Sequence, residues 1–310
     1  MARDRWKEPA HEVLRGRDGF RLEDVDPTRT PGWKGGAKAA AKHMVKQGVA
    51  LADLQERLFA DGRSGGTRSV LLVLQGMDSA GKGGIVRHVI GLVDPQGVQH
   101  HAFRVPTPQE RAHNYLWRIR RALPTPGYLG VFDRSHYEDV LVVRVHDLVP
   151  EDVWSKRYDQ INAFEAKAAA AGTVIVKVAL IITLDEQKRR LAARLARPNK
   201  YWKYKPHDLD ERALWPAYRD AYQAVFDKTS TDVAPWHVIP ANKKWFSRLA
   251  VTELLLEAFE SLDLGWPPAA FDVEAEKNRL AEARGTAQAL VGRRGSVRQL
   301  GALNGRRGEP

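Results

Sequence analysis

A glycine loop set between an apolar run and a helix-forming segment constrains this chain more than any other feature. The run Ser69–Leu74 reads Ser-Val-Leu-Leu-Val-Leu. Gln75 follows, and then Gly76-Met77-Asp78-Ser79-Ala80-Gly81-Lys82-Gly83-Gly84. The spacing is G-x-x-x-x-G-K, that of a phosphate-binding loop. Glycines let consecutive backbone N–H groups turn toward one anion, a lysine adds a point charge, and the helix that follows presents its positive end. Such a loop needs a strand before it and a helix after it, and it suits polyphosphate esters and anhydrides. One position departs from the pattern. The residue after the lysine is normally Ser or Thr, whose hydroxyl holds magnesium; here it is Gly83, and the loop carries a carboxylate of its own, Asp78.

The rest of the pattern supplies the fold that the loop requires. Short apolar runs at 69–74, 98–103, 128–132, 174–182 and 236–239 are bounded by turn residues, as strands buried on both faces are. Helical segments alternate with them. Residues 37–60 place Met44, Leu51 and Leu58 on one stripe, with Leu54 beside it. Thr107-Pro108-Gln109-Glu110 combines an N-cap, proline at the first helical position and a capping-box glutamate, and Ala112, Leu116, Ile119 and Leu123 continue as a stripe. Pro150 opens a segment with Trp154, Tyr158, Ile161 and Ala168 on one face, and Thr183-Leu184-Asp185-Glu186 is a second capping box. Residues 208–228, with Pro216 as a break or restart, and 242–262 complete the helical set. The alternation predicts an α/β fold with a parallel sheet and helices on both faces, and ligands at the carboxyl ends of the strands.

Composition narrows the setting. The 310 residues contain no cysteine, which excludes disulfides and thiolate-held metals. No apolar run approaches the ~20 residues of a membrane-spanning helix, and the charged start Met1–Trp6 does not resemble a signal peptide. A cytoplasmic location is expected. The net charge is +11, from 49 basic and 38 acidic residues, and it favours an anionic partner. Residues 188–212 hold nine Lys or Arg against three acids, and 285–310 hold five Arg and one Glu. The glycine-rich tail, without aromatic residues, reads as disordered after about residue 285.

Four groups of residues are candidates for chemistry. The loop offers Gly76, Gly81, Gly83 and Gly84 to cradle phosphate, with Lys82 reaching the terminal oxygens. Asp133 ends the run Tyr128–Phe132, where a metal-holding carboxylate of a phosphate site belongs, so Asp78 and Asp133 are the candidate magnesium ligands. Arg134 follows and its fork suits phosphate oxygens. The basic segment places Arg190, Arg194 and Arg197 on one side of a helix before Pro198. With Lys200 and Lys203 it falls where an arginine-rich lid covers a transferred phosphate. A solvated charged face is the plainer alternative. Tyr201, Trp202 and Tyr204 between the basic residues also suit single-stranded nucleic acid, a reading that leaves the loop unexplained. Ser135 lacks the histidine and carboxylate of a nucleophile, and His100 and His101, as neighbours on a strand, make a poor metal pair.

Taken together, the motifs resemble the polyphosphate kinase 2 family. They are Gly76-x-Asp78-x-x-Gly81-Lys82-Gly83-Gly84, Phe132-Asp133-Arg134-Ser135-x-Tyr137, Trp202-Lys203 in a basic segment, and Ala234-Pro235-Trp236 leading to Val238-Ile239-Pro240-Ala241-Asn242. The resemblance covers roughly residues 35–262. It implies a P-loop kinase-like three-layer α/β/α sandwich with a five-stranded parallel sheet and a helical lid at about 188–212. It implies phosphoryl transfer between inorganic polyphosphate and nucleotides with Mg2+, with Asp78 and Asp133 as essential carboxylates and Lys82, Arg134, Arg194, Arg197, Lys200 and Lys203 on phosphates. Gln75–Asp78, Leu141–His146, Gln160–Asn162, Glu211–Trp215 and Glu138, a candidate for positioning the acceptor, resemble the class that acts on both nucleoside mono- and diphosphates. Asp133 stands where that class commonly has Asn, which leaves the acceptor range open.

The expected organisation is an irregular N-terminal arm over 1–35, a catalytic domain over 36–265 and a C-terminal extension over 266–310. The expected partners are inorganic polyphosphate, nucleoside mono- or diphosphates and further copies of the same chain, with neither membrane nor nucleic acid among them. An ATP-dependent kinase of a small molecule, an NTPase and a non-catalytic polyanion-binding protein are the alternatives.

Overall fold

The computed structural model describes residues 5–17 and 19–283. The five apolar runs become strands within one or two residues of the expected bounds: β1 (Ser69–Gln75), β2 (Val98–Ala102), β3 (Leu129–Asp133), β4 (Thr173–Ile181) and β5 (Trp236–Pro240). They form one sheet in the order β2-β3-β1-β4-β5, parallel throughout. The loop-bearing strand β1 is central, its seven residues all buried. Alternation along it sends Val70, Leu72 and Leu74 into one apolar layer and Leu71 and Val73 into the other.

The first layer is built by α1 (Ala37–Arg63), α2 (Lys82–His88) and, later in the chain, the C-terminal helix of this unit, Lys244–Glu260. Leu51 and Leu58 of α1 are fully buried, with Met44 and Leu54 packed alongside. The second layer takes α3 (Leu116–Ala122), α4 (Arg157–Ala170) and α6 (Trp215–Thr229). Between α4 and α6 the chain makes α5 (Leu184–Leu195), and Lys244–Glu260 is α7. This is the three-layer arrangement of the P-loop kinase-like fold.

Several local expectations are corrected. Strand β2 is not buried on both faces; it is an edge strand, exposed over its last three residues, which include His100 and His101. The helix expected from Thr107 through Leu123 is two helices. Its capping box forms, but the first turn ends at Arg111, and Asn114 restarts the chain by accepting the Leu116 N–H at 3.0 Å. The segment opened by Pro150 breaks after Trp154 before α4 begins. At Thr183 only half of the capping box exists. The hydroxyl accepts the Glu186 N–H, but the Glu186 carboxylate goes to Arg189 and Arg190, and Asn242 receives the Thr183 N–H.

The chain divides into two units, Met1–Trp266 and Pro267–Pro310. In the first, residues before α1 hold two short helical turns, Ala10–Leu14 and Leu22–Asp24. They pack with the sheet: Arg15 bridges to His237 in antiparallel fashion along the outer edge of β5. Trp6 lies against Trp33 and Phe246. An exposed strand edge is a template for unwanted pairing, and this segment covers one. The second unit contains a helix over 273–283; the disorder expected after about residue 285 lies outside the described residues.

Candidate active site

Strand β1 delivers the chain into the loop at Gln75, which is fully buried. Gly76 turns with φ +148°, and a Cβ there would stand 2.7 Å from the Leu180 carbonyl oxygen, so only glycine fits. Ser79 has φ +67° and Gly81 φ +121°. Strained backbone of this kind concentrates at ligand clamps. A loop that turns its N–H groups toward an anion turns carbonyls the other way, and those need donors. They come from α5. Gln187 Nε2 donates to the Asp78 carbonyl at 3.0 Å, and the buried Arg190 donates to Ser79 O at 2.9 Å and Ala80 O at 2.6 Å. The second arm of the Arg190 fork reaches Ala241 O and Asn242 O beyond β5.

The acids and bases converge on the mouth of the loop. Lys82 opens α2 and its Nζ donates to the Gly76 carbonyl at 2.6 Å. Asp133 ends β3 in register with Leu74. Arg134, at φ +65°, donates its N–H to Leu74 O and swings its side chain across the loop. There its Nη2 meets Asp78 Oδ1 at 2.8 Å, and its Nε stands 4.0 Å from Glu138 Oε1. The charges tune one another. Burial opposes ionisation of Asp78, but Lys82, Arg134 and Arg194 outweigh it and hold the carboxyl below its ordinary range. Burial and the Arg134 charge lower the Lys82 pKa, against the pull of Asp78, Asp133 and Glu138. Glu138 goes the other way: burial raises it, although Arg134 and Lys82 resist. The Gln75 amide, oriented to satisfy both neighbours, gives its NH₂ to Glu138 Oε1 at 3.1 Å and its oxygen to Ser135.

The structure therefore brings Asp78, Lys82, Asp133, Arg134 and Glu138 together, and it redistributes the basic segment. Arg194 acts on the charge of Asp78 while donating to Lys203 O at 2.9 Å and Asp208 Oδ2 at 3.2 Å. Arg197 turns back to Ala193 O, and Lys203 stands over the Trp202 ring. Among the described residues, neither these two nor Lys200 hydrogen-bonds the loop. Gln187 and the carbonyl-binding role of Arg190 escape sequence reasoning, because their partners lie on segments remote in the chain, and Asp208 because its pairing with Arg194 depends on how the basic segment folds back. Ser135 Oγ accepts the Tyr137 N–H, as a turn residue does.

A second polar cluster lies in the core. Lys177, fully buried in the middle of β4, donates to Glu165 Oε2 at 2.6 Å, Tyr137 Oη at 2.7 Å and Thr229 O at 2.7 Å. Tyr137 and His136 both reach Glu165 Oε1. These residues directly follow Asp133-Arg134-Ser135, so the cluster fastens the turn that carries Arg134 and Glu138. The signal for it was a lysine inside the apolar run 174–182.

A parallel sheet, a glycine loop with its lysine at the central strand and an acid ending the neighbouring strand define a phosphotransferase of the P-loop kinase-like class. A model of the polyphosphate kinase 2 (PPK2) family matches residues 36–264, and the chain belongs to that family. An AMP/ADP-polyphosphate phosphotransferase of Meiothermus ruber is 47% identical over 248 residues, covering 80% of this chain and 91% of the relative. An ADP-polyphosphate phosphotransferase of Rhodopseudomonas palustris is 42% identical over 229 residues, 70% of this chain and 78% of the relative. The crystal structure of polyphosphate kinase 2 from Arthrobacter aurescens TC1 superposes with a TM-score of 0.87 at 52% identity, over 89% of this chain and 98% of that one.

Proposed function

We propose that this chain is an enzyme that moves a phosphoryl group between inorganic polyphosphate and nucleoside mono- or diphosphates. The observation that carries the reading is the loop itself. Lys82 and the glycines offer a phosphate cradle, and Asp78, inside the loop, faces Arg134 across it. The family membership and the names of the relatives support the donor and the acceptor.

Magnesium is the expected cofactor. Among the described residues no three His, Cys, Asp or Glu side chains converge into a metal cage. Magnesium is commonly held by one or two carboxylates together with substrate phosphates, so Asp78 and Asp133 fit it without a cage. Bound there, the ion would neutralise phosphate charge. The protein groups do the rest. Lys82 and Arg134 bind and orient the donor chain, with Arg194 reaching over from α5. An oxygen of the acceptor's terminal phosphate attacks the terminal phosphorus of the chain in line, the bridging P–O bond breaks, and the shortened polyphosphate leaves. The attacking oxygen is already anionic near neutral pH, so placement and charge neutralisation suffice and no strong base is needed. Glu138, held by Gln75, would position the acceptor.

One assay tests the proposal: polyphosphate and Mg2+ with AMP, ADP, GMP or GDP separately, following each product, with a chelator control. Transfer to at least one acceptor, lost on chelation, supports it. Consumption of ATP without polyphosphate, or release of free phosphate alone, overturns it. The same panel reads the acceptor range that Asp133 leaves open. Self-association and a cytoplasmic location belong to the proposal; a light-scattering mass above that of one chain checks the first. Among the described residues no helix is long and apolar enough to cross a membrane.

A further inference from the structure

The stretches Leu141–His146 and Glu211–Trp215, far apart in the sequence, meet in the fold. After Glu138 the chain runs on through hydrogen-bonded turns. The Leu141 N–H reaches Tyr137 O at 2.9 Å, the helical turn Val142–Val145 follows, and the His146 N–H reaches Val142 O at 3.0 Å. His146 Nε2 then lies 3.1 Å from Glu211 Oε1, at the end of the basic segment. The Glu211 carboxylate is largely buried and takes two more partners. Tyr218 of α6 donates to its Oε2 at 2.8 Å, and His207 Nε2 lies 2.9 Å from its Oε1. A carboxylate accepts and does not donate, so all three groups turn their protons toward it. Burial, then Glu211, then Glu138 push the Tyr218 pKa up, which keeps the phenol a donor and puts Glu138 within electrostatic reach of it.

The next residue faces the other half of the site. Arg212 Nη1 donates to Leu184 O and to Gln187 Oε1, both at 2.9 Å. With its oxygen fixed, the Gln187 amide aims Nε2 at the Asp78 carbonyl. Leu184 and Gln187 belong to the first turn of α5, so Arg212 also ties the two ends of the basic segment together at its base. Two consecutive residues thus reach opposite sides: Glu211 holds the turns that follow Glu138, and Arg212 holds the residue that fastens the phosphate loop. An apolar contact would join His146 to α6 at less cost than a buried carboxylate. What the carboxylate adds is a fixed direction for its hydrogen bonds.

We propose that Glu211 and Arg212 are positioning residues, one for each substrate. Glu211, through His146, sets the turns that carry Glu138 and with them the acceptor. Arg212, through Gln187, sets the Asp78 carbonyl and with it the loop that takes the phosphate chain. The assignment rests on the proposed phosphoryl transfer and adds a division of labour to it: neighbouring residues govern the affinities for different substrates.

Steady-state transfer from polyphosphate to ADP, with Mg2+, in the full chain tests it, with melting curves alongside. Glu211→Gln and His146→Leu should each raise KM for ADP about tenfold, the order of losing one hydrogen bond to a charged group, and leave KM for polyphosphate unchanged. Arg212→Met should do the reverse. His146→Gln, whose amide can still donate to Glu211, should keep the ADP KM near that of the unaltered chain, and the two His146 variants decide the matter if Glu211→Gln does not fold. Asp210→Asn, at an exposed acid next in the chain, should move neither constant. Equal shifts in both constants, or none, overturn the assignment, as does a His146→Gln variant no better than His146→Leu. If the unaltered chain transfers nothing, the function falls instead. Calorimetric titration with ADP and with tripolyphosphate then decides the positioning alone. His146→Leu weakening ADP but not tripolyphosphate upholds it, and affinities unchanged or equally weakened overturn it.

Discussion

Arg134 and Asp78 are joined across the mouth of the loop at 2.8 Å, although 56 residues separate them in the chain. The pair sets an acid of one strand's loop against the base next to the neighbouring strand's acid. With Lys82 and Arg194, Arg134 holds the Asp78 carboxyl below its ordinary range despite burial.

Removing either proposed magnesium ligand should therefore cost far more in turnover than in folding. Asp78→Asn and Asp133→Asn are each expected to lower kcat by at least ~10²-fold, the order seen for loss of one preorganised electrostatic contact. Steady-state transfer from polyphosphate to ADP, with melting curves alongside, checks this. Near-normal rates in both variants would refute the assignment.

Arg190 serves five acceptors, four of them carbonyls at the back of the site. Lysine cannot reproduce a fork. Arg190→Lys should raise KM for polyphosphate and lower Tm together, while Arg189→Lys, on the exposed side of α5, should do neither. A substitution at Arg190 that leaves both quantities alone would show the loop to be held by other means.

His237 gives the protein an acid-sensitive point away from the site. Burial, against a hydrogen bond to the Lys177 carbonyl, lowers its pKa from 6.5 to about 4, and its Nε2 is buried without a partner. The unfolded chain takes up a proton near pH 6.5 and the folded one does not until about pH 4. Stability from this residue is thus complete above pH 6.5 and is lost as the pH falls toward 4, by about 3 kcal/mol in all. Urea denaturation between pH 7 and 4.5 should show a smaller decline for His237→Gln than for the unaltered chain. Parallel declines would remove His237 as the cause.

The Lys177–Glu165 pair calls for a double-mutant cycle. Burial works against both charges: at Glu165 it is outweighed by Lys177 and His136, and at Lys177 it lowers the pKa against the pull of Glu165. Lys177→Met strands a buried carboxylate and should destabilise by about 3–5 kcal/mol. Adding Glu165→Gln should recover part of that loss, and fully additive effects in denaturant melts would contradict the pairing.

Strands β1, β3, β4 and β5 were legible because a buried parallel strand must be almost wholly apolar, whereas the exposure of the edge strand β2, with its Gln99, His100 and His101, was not; the loop was legible because its spacing admits few other structures. Asp133, Arg134 and Glu138 could be placed because the end of a strand fixes the position of the next few residues. The break at Asn114 was hidden by a stripe that is continuous in sequence but carried by two helices. The three arginines of the basic segment look equivalent on a helical wheel. Only the fold sends Arg190 inward to carbonyls some 110 residues away, leaves Arg194 between Asp208 and the loop, and turns Arg197 back on its own helix. Lys177 stood out as a charge in an apolar run, but Glu165 and Tyr137 could not be named as its partners without the packing of α4 on the sheet.

The fastening of the loop by Gln187 and Arg190 bears on inhibition. A cradle whose carbonyls are satisfied from within takes its shape at folding, before any anion arrives. Occupants then give up little affinity to the ordering of the protein, and even very short phosphate chains should compete. A mimic that replaces phosphates with a rigid neutral frame would find no pliant pocket to mould, and would have to match the spacing of oxygens that the cradle already dictates.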